Sequence, residues 1–245
     1  MARGATRGRT PCRRTPRVVA YWALSRALTS TKEKELPADG EQDLKRYGWE
    51  TREAGPEALR EAMSLFPSGV TVVTTGRGEG TEGMTANAVI SVSLDPVLFL
   101  VSVHKEARLN RRIREEGYYA VNLLAADQEG LSRLFSSPER SSGLSALNSL
   151  GGGYGTTGAP LAAGSLAAIE CEFETVYPGG DHDLFLGRVV AVHLGDTRKS
   201  PLVFHEGSYP TLVSAPRPGD SGAFVDSARG FDIRTSRIVN RRRRG

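Results

Sequence analysis

Cysteine is nearly absent from this 245-residue chain, which contains only Cys12 and Cys171. Two cysteines cannot supply the ligand sets of structural zinc sites. Cys12 lies in a basic segment and Cys171 in a strand-like one, so no disulfide is expected and Cys171 is interpreted as a small buried apolar residue. This cysteine usage fits the reducing cytoplasm.

Long apolar runs are also missing, since no stretch approaches the roughly 20 apolar residues of a membrane-spanning helix. Residues 18–24 barely reach the ~7-residue minimum of a signal-peptide core, and no convincing small-residue cleavage site follows them. We therefore expect no membrane association. Residues 1–55 are interpreted as a basic, mostly disordered N-terminal extension, which we favour over a targeting signal.

Acidic residues are absent from residues 1–32, which carry eight basic residues, and residues 241–244 add four arginines. Removing these twelve from the 32 lysines and arginines leaves 20 basic against 28 acidic residues, so residues 33–240 have a net charge of −8. A nucleic-acid-binding domain usually carries its basic residues on a folded face. Specific nucleic-acid binding is therefore not expected, and the arginine-rich ends, including a flexible tail over residues 215–245, are interpreted as solvated.

Residues 56–214 have the patterning of one mainly β domain. Pro56 opens a short helix that Pro67 ends, and a β-branched strand follows over residues 70–75. After a glycine-rich hairpin loop, further strands are predicted over residues 84–93 and 97–103. Successive strands joined by short turns predict an antiparallel meander that closes towards a barrel, without the strand–helix alternation of a Rossmann domain.

The second half of the domain continues this pattern with two helices and further strands. The predicted helices cover residues 108–116 and 127–135. The predicted strands cover residues 118–123, 166–176, 184–194, 201–205 and 209–213, with a turn over residues 177–182. The Ser- and Gly-rich residues 136–159 offer little to pack and are predicted to form a long loop or an insertion.

Six short motifs occur along this domain in a fixed order, among them Gly83-Met84-Thr85-Ala86-Asn87-Ala88 and Gly180-Asp181-His182. The set occupies residues 66–75, 83–88, 91–96, 119–124, 180–182 and 201–209. Together they resemble the flavin reductase family, and the resemblance is collinear over roughly residues 59–212. It implies an antiparallel FMN-binding split β-barrel with peripheral helices, usually a homodimer with flavin sites near the subunit interface.

The resemblance implies that one strand lies along the flavin, and this strand carries Met84, Thr85, Ala86, Asn87 and Ala88. Its backbone donors and the side chains of Thr85 and Asn87 would meet the polar edge of the ring and the ribityl chain. Donors fixed there stabilise the negative charge of the reduced ring. Without the resemblance, ordinary strand-edge hydrogen bonds would be the favoured explanation of Thr85 and Asn87.

The flavin phosphate is expected near the end of the third strand, where the resemblance brings Ser102 and Val103 towards the ribityl chain. Many members of the family have a Ser-x-Thr pair where this chain has Arg108-Leu109-Asn110. Phosphate binding is therefore expected to rest on Arg108 and Asn110, and the choice between FMN and FAD stays open.

The turn Gly180-Asp181-His182 is the strongest candidate for the catalytic site. Gly180 allows the backbone to approach a ligand, and Asp181 can hold the imidazole of His182 in one tautomer. In the family this turn faces the flavin where the nicotinamide stacks. Hydride passes directly from nicotinamide C4 to flavin N5, so His182 is assigned an orienting role with Asp181 as its support. Tyr209 either reaches the nicotinamide pocket or is a core or interface tyrosine.

The implied function is NAD(P)H-dependent reduction of FMN or FAD, with NADH or NADPH as co-substrate, to supply a partner monooxygenase. The alternative is a flavin-binding carrier or sensor without turnover, and the intact Gly-Asp-His motif favours the enzyme. A metal site is not expected, because Asp181 and Asp183 flank a single histidine and no other ligand cluster exists. The other histidines are expected to be ordinary polar residues at strand ends: His104, His193 and His205.

Overall fold

The computed structural model describes residues 44–151 and 153–212. From residue 56 onward the helices are α1 (Pro56–Ser64), α2 (Arg108–Glu116), α3 (Glu129–Ser136) and α4 (Gly143–Leu150). The strands are β1 (Ser68–Gly69), β2 (Thr71–Thr75), β3 (Glu82–Ala86), β4 (Val89–Leu94), β5 (Val97–His104), β6 (Tyr118–Leu123), β7 (Ala167–Gly179), β8 (His182–Leu194) and β9 (Val203–Phe204). The predicted tail over residues 215–245, and all but residues 44–55 of the predicted extension, lie outside the described residues. No helix of the described part is long and apolar enough to cross a membrane.

Seven strands form one antiparallel sheet in the order β3-β2-β6-β7-β8-β5-β4. The strands at its two ends, β3 and β4, are consecutive in the chain and separated only by Asn87 and Ala88. The chain thus joins both ends of the sheet, and the Ser102 N–H donates to the Ala88 carbonyl at 3.0 Å beside the junction. The predicted antiparallel barrel is confirmed, but the single strand predicted over residues 84–93 is in fact two strands.

The barrel interior is packed with apolar side chains from every side of the sheet. Val73, Val101, Val121 and Phe185 are fully buried there, and α2 covers one side of the barrel with Leu109 and Ile113. Alternate residues of each strand point to opposite faces, so β-branched strands of this kind supply the core at every second position.

Close packing around Tyr119 requires a glycine on the neighbouring strand. The Tyr119 hydroxyl donates to the Phe99 carbonyl at 3.0 Å. A Cβ on Gly187 would come within 2.6 Å of this hydroxyl oxygen and 2.7 Å of Cys171 Cβ. Cys171 is buried and free, as the sequence predicts, and burial raises the pKa of its thiol to about 12.

Several element boundaries follow directly from local sequence. α2 and β6 have the predicted bounds, and Gly117 ends α2 in the left-handed conformation with φ 77°. The hairpin of β7 and β8 is longer than predicted, because its turn shrinks to Gly180 and Asp181. The strand predicted over residues 209–213 is wrong for its described residues, 209–212, which form no strand.

The loop predicted over residues 136–159 is wrong, because it contains α4. Leu150 and Ala146 of this helix are buried in a second apolar cluster with Phe135, Val72 and Leu202. The sequence has serines and glycines around these few apolar positions, so the helix is stabilised by tertiary packing rather than by its own composition.

The segment after α4 is attached to the barrel by Glu170, a fully buried carboxylate on β7. Its oxygens accept hydrogen bonds from the backbone N–H groups of Thr156 at 2.8 Å and Thr157 at 2.7 Å, and lie 2.6 Å from His193 Nε2. Burial opposes ionisation of Glu170, but hydrogen bonds from Thr157, His193 and Thr156 outweigh it, so the pKa of this carboxyl lies below its ordinary value. The prediction that His193 is an ordinary polar residue missed this pair.

Candidate functional site

A pocket of about 320 Å³ lies between β3, α3 and the segment that follows β9. This volume is within the range of about 300–1,000 Å³ usual for small-molecule sites. Thr85, Ala86, Asn87 and Tyr209 line it, so four of the residues predicted from the sequence come together here. Val70, Phe204 and Gly207 also line it and lie in the six motifs without having been predicted as site residues, whereas Ser132, Arg133 and Ser136 lie outside the motifs.

The wall made by β3 is held closely against α3. Gly83 permits this contact, because a Cβ at that position would lie 2.6 Å from a ring carbon of Phe135. The Thr85 hydroxyl donates to the Ser132 carbonyl at 2.7 Å, which ties the strand to the helix at the edge of the pocket. The glycine of the Gly-Met-Thr-Ala-Asn motif therefore has a packing role, and the threonine side chain braces the wall.

The opposite wall is aromatic. Tyr209 contacts Phe204 edge to face, with the ring centroids 5.4 Å apart. The Arg133 guanidinium carbon lies 5.1 Å from the Tyr209 ring centroid, and the Tyr209 hydroxyl is 2.8 Å from Ser132 Oγ. The ring of Tyr209 is thus held from three sides at the pocket.

A second, apolar pocket of about 390 Å³ shares Val70 and Asn87 with the first. Its lining includes Phe66, Phe99 and Ile169. Asn87 is exposed between the two pockets, and its amide Nδ2 donates to Ser68 Oγ at 3.1 Å. Apolar walls beside a polar edge suit a flat heteroaromatic ring with hydrogen-bonding atoms on one side, so the residues present fit a flavin ring.

The predicted Gly-Asp-His turn lies elsewhere, at the tip of the β7–β8 hairpin. Gly180 has φ 71°, and its carbonyl accepts a hydrogen bond from Lys105 Nζ. His182 Nδ1 lies 2.7 Å from Asp181 Oδ1. This hydrogen bond lowers the pKa of the Asp181 carboxyl, so the carboxylate fixes the Nδ1–H tautomer and directs Nε2 away from Asp181.

A second histidine faces His182 across the sheet. His104 on β5 is directly opposite His182 in the β5–β8 register, and the two rings meet edge to face at 5.2 Å. The Glu106 N–H lies 3.2 Å from His104 Nδ1 and donates to it. His104 therefore belongs to the surroundings of His182, which its sequence position at the end of a strand did not indicate.

Arg108 and Asn110 are on α2, and neither lines the 320 Å³ pocket. The Arg108 guanidinium pairs with Glu82 at 3.2 Å and donates to the Arg140 carbonyl at 2.7 Å. Burial and the neighbouring Arg108 lower the pKa of Arg140, and the opposing attraction of Glu82 does not offset them.

Asn110 is buried, and both the nitrogen and the oxygen of its side-chain amide are hydrogen-bonded to other residues. Its Nδ2 lies 3.0 Å from Asp183 Oδ2, and its Oδ1 accepts from Arg114 Nε at 3.1 Å. Hydrogen bonding by Asn110 and Arg114 lowers the pKa of the Asp183 carboxyl. Phosphate binding by Asn110 would require these hydrogen bonds to break, so the structure gives this residue a bracing role at the base of the hairpin.

The remaining predicted residues lie at the closure of the barrel. Val103 is fully buried in the core, and Met84 packs against the same core, so neither side chain faces the 320 Å³ pocket. Ala88 and Ser102 are paired through their backbones where β3 passes into β4. Successive side chains of a strand point to opposite faces of the sheet, which explains why Thr85 lines the pocket whereas Met84 packs against the core.

This chain is similar to known proteins over most of the described domain. Residues 63–213 match the model of the flavin reductase like domain. The chain is 48% identical over 160 residues to the NADH-dependent FMN reductase AsuE2 of Streptomyces nodosus subsp. asukaensis, covering 65% of this chain and 86% of that protein. It is 36% identical to the reductase component of 4-hydroxyphenylacetate 3-monooxygenase of Thermus thermophilus, covering 64% of this chain and 97% of that protein.

A solved structure is similar over the same region. The NADH:FAD oxidoreductase SgcE6 of Streptomyces globisporus C-1027, in complex with NAD and FAD fragments, superposes with a TM-score of 0.61 at 35% identity. The similarity covers 69% of this chain and 99% of that one. The matched residues include both walls of the pocket and the Gly-Asp-His turn. The chain belongs to the family of flavin reductase like domains.

Proposed function

We propose that this protein is an NADH-dependent flavin reductase that passes reduced flavin to a separate monooxygenase. The observation that carries the proposal is the pocket in which Thr85, Ala86, Asn87 and Tyr209 meet, inside a domain that matches flavin reductases over residues 63–213. Relatives that are NADH-dependent FMN reductases or monooxygenase reductase components support the co-substrate and the partner. Residues 56–214 form the proposed catalytic domain.

We assign the ring of the flavin to the 320 Å³ pocket and its ribityl chain to the closure of the barrel beside Ala88 and Ser102. Thr85 and Asn87 form the polar side of the pocket, and Val70 and Phe204 supply apolar surface. A bound flavin provides the hydride acceptor, and the protein's contribution is to bind, orient and exclude water. FMN is the first choice because AsuE2 is an FMN reductase, and FAD is the second.

We place the phosphate at the start of α2, near Arg108. Ala107 offers no side-chain cap there, and although the Asn110 N–H donates to the Ala107 carbonyl at 3.0 Å, the positive end of the helix dipole favours an anion. Arg108 pairs with Glu82, and the guanidinium of Arg140 interacts electrostatically with both, so two cations accompany one carboxylate and the cluster has a positive charge. Lys105 precedes the helix and adds another cation.

We assign the nicotinamide to the side of the flavin reached by His182. With Nδ1–H directed at Asp181, Nε2 is left to hydrogen-bond with the carboxamide of a nicotinamide. His182 would then orient the dihydronicotinamide without taking or giving a proton. Asp181 acts on the ligand only through the orientation of the imidazole.

The experiment that tests the function follows NADH and NADPH oxidation with FMN, FAD or riboflavin added to the purified protein. We expect oxidation that depends on flavin, with NADH preferred and with turnover in large molar excess over protein. A folded protein that binds flavin but oxidises neither nicotinamide would instead be the carrier or sensor that the sequence left open.

We further propose that the protein is a cytoplasmic homodimer. β4 and β8 expose six large apolar side chains: Ile90, Val92, Leu94, Val190, Val192 and Leu194. Exposed apolar surface on a soluble protein often marks a protein–protein interface. A second copy of the chain is the occupant that the family favours, and the free buried Cys171 suits a reducing compartment.

Sedimentation velocity tests the dimer. We expect the wild-type protein to sediment as a dimer and the Val192→Lys variant as a folded monomer, because a lysine in place of this exposed valine would lose its hydration at the interface without gaining an ionic partner. Leu144→Lys is the matched control, since Leu144 is also exposed but lies on α4. Dimers in both variants would place the interface on another surface.

A further inference from the structure

Ser132 on α3 is fully buried. Its hydroxyl and its backbone carbonyl contact two different walls of the 320 Å³ pocket. Its hydroxyl is 2.8 Å from the hydroxyl of Tyr209 on the aromatic wall. Its carbonyl accepts the hydrogen bond of Thr85, 2.7 Å away on the β3 wall. One small residue of the helix thus joins the two sides between which a ligand would lie.

Tyr209 needs such a contact because it lies outside the regular elements. The described residues that follow β9 form an isolated bridge between His205 and Ser208 and then no strand. Apart from Ser132, the ring of Tyr209 is held by Phe204 and by the guanidinium of Arg133. These ring contacts lack a fixed direction, whereas a hydroxyl–hydroxyl bond sets the position of the ring's far end.

The Tyr209 hydroxyl is therefore hydrogen-bonded within the protein, and the ring of Tyr209 forms part of the pocket wall. An unpaired hydroxyl in the buried position of Ser132 would be unfavourable, so Ser132 and Tyr209 stabilise each other's placement. Serine is also small enough for this fully buried position of α3, whose Phe135 packs directly on Gly83 of β3.

We infer that Ser132 is a positioning residue that fixes the width of the pocket for a planar heteroaromatic ring, acting through Tyr209 and Thr85. The inference rests on the proposed function, which assigns the flavin ring to this pocket, and the ligand arms of the test distinguish it from the nicotinamide ring. The two rings share the chemistry that the pocket selects, a flat π-system with polar groups on one edge. Ser132 itself does not touch the reacting atoms.

The test is a double-mutant cycle of Ser132→Ala and Tyr209→Phe with two ligand arms. The first arm titrates FMN alone and reads its dissociation constant and its fluorescence at saturation. The second arm measures the NADH KM and kcat at saturating FMN. Urea unfolding of each variant reports whether the protein is folded, and Ser149→Ala, an exposed serine of α4 bonded to the Ser145 carbonyl, is the matched control.

We expect each single variant to weaken one ligand about tenfold, as for loss of one hydrogen bond that fixes a contact residue. The double variant should be no weaker than either single variant, because both remove the same bond. An effect on the FMN dissociation constant and its bound fluorescence assigns the ring to flavin, and an effect confined to the NADH KM assigns it to nicotinamide.

Two results would overturn the inference. One is a Ser132→Ala variant whose FMN dissociation constant and NADH KM equal those of the wild type. The other is a double variant whose loss of affinity equals the product of the two single losses, because the two residues would then act independently. Should Ser132→Ala fail to fold, Tyr209→Phe alone tests the bond, because Tyr209 is only half-buried and removal of its hydroxyl leaves no cavity in the helix. Lack of NADH oxidation by the wild type would reject the proposed function instead, and the FMN arm would still decide the role of Ser132.

Discussion

Replacement of Glu170 by alanine is expected to destabilise the protein by about 3–5 kcal/mol, because its buried carboxylate accepts several hydrogen bonds and each buried donor left without an acceptor costs roughly 1–3 kcal/mol. The substitution would leave the N–H groups of Thr156 and Thr157 without their acceptor and would remove the carboxylate oxygen that lies 2.6 Å from His193 Nε2. Urea unfolding at pH 7 measures this change in the free energy of unfolding. Glu172→Ala is the matched control, because Glu172 is exposed on the same strand and should change stability by less than about 0.5 kcal/mol.

The contribution of Glu170 should also depend on pH in a defined direction. Its folded-state pKa is depressed below the unfolded value of about 4.3, so its stabilisation is fully present above that pH and is lost as pH falls towards the folded pKa. The stability difference between wild type and Glu170→Gln should therefore shrink below about pH 4. A difference that grows in acid would mean that the carboxyl is protonated in the native protein.

Replacement of His182 by alanine is expected to raise the NADH KM or slow hydride transfer by about ten- to a hundredfold, as for loss of a contact worth roughly 1–3 kcal/mol. Flavin affinity should change little, because His182 does not line the 320 Å³ pocket. Steady-state kinetics with NADH as the varied substrate and a separate FMN titration measure the two effects.

The support of His182 by Asp181 can be separated from its ligand contact. Asp181→Asn should give a smaller loss than His182→Ala, because the imidazole remains but its tautomer is no longer fixed by a carboxylate. Asp196→Asn removes an exposed carboxylate paired with Arg198 and should leave the kinetics unchanged. If the His182→Ala variant has wild-type kinetics, the tip of the β7–β8 hairpin is not part of the nicotinamide site.

The sequence by itself determined the elements whose signals are local. The bounds of α2 follow from the Gly117 that ends it, and β6 follows from an apolar run directly behind that glycine. The β strands were visible in their β-branched composition, and the resemblance to flavin reductases was carried by short motifs such as residues 83–88. These features depend on residues near one another in the chain, so no long-range contact is needed to predict them.

Only the tertiary structure decided which residues meet. Ser132 and Arg133 have no local signal for a ligand site, and they reach the pocket because Gly83 lets α3 pack directly on β3. In the sequence Glu170 and His193 are ordinary polar residues of strands. Only the structure shows that Glu170 is buried beneath the segment after α4 and contacts His193. Asn110 was predicted from the sequence to bind the flavin phosphate, but its side-chain amide is hydrogen-bonded to Asp183 and Arg114. In each case the outcome depends on partners distant in sequence, because burial and hydrogen bonding are properties of the packed barrel and not of the local chain.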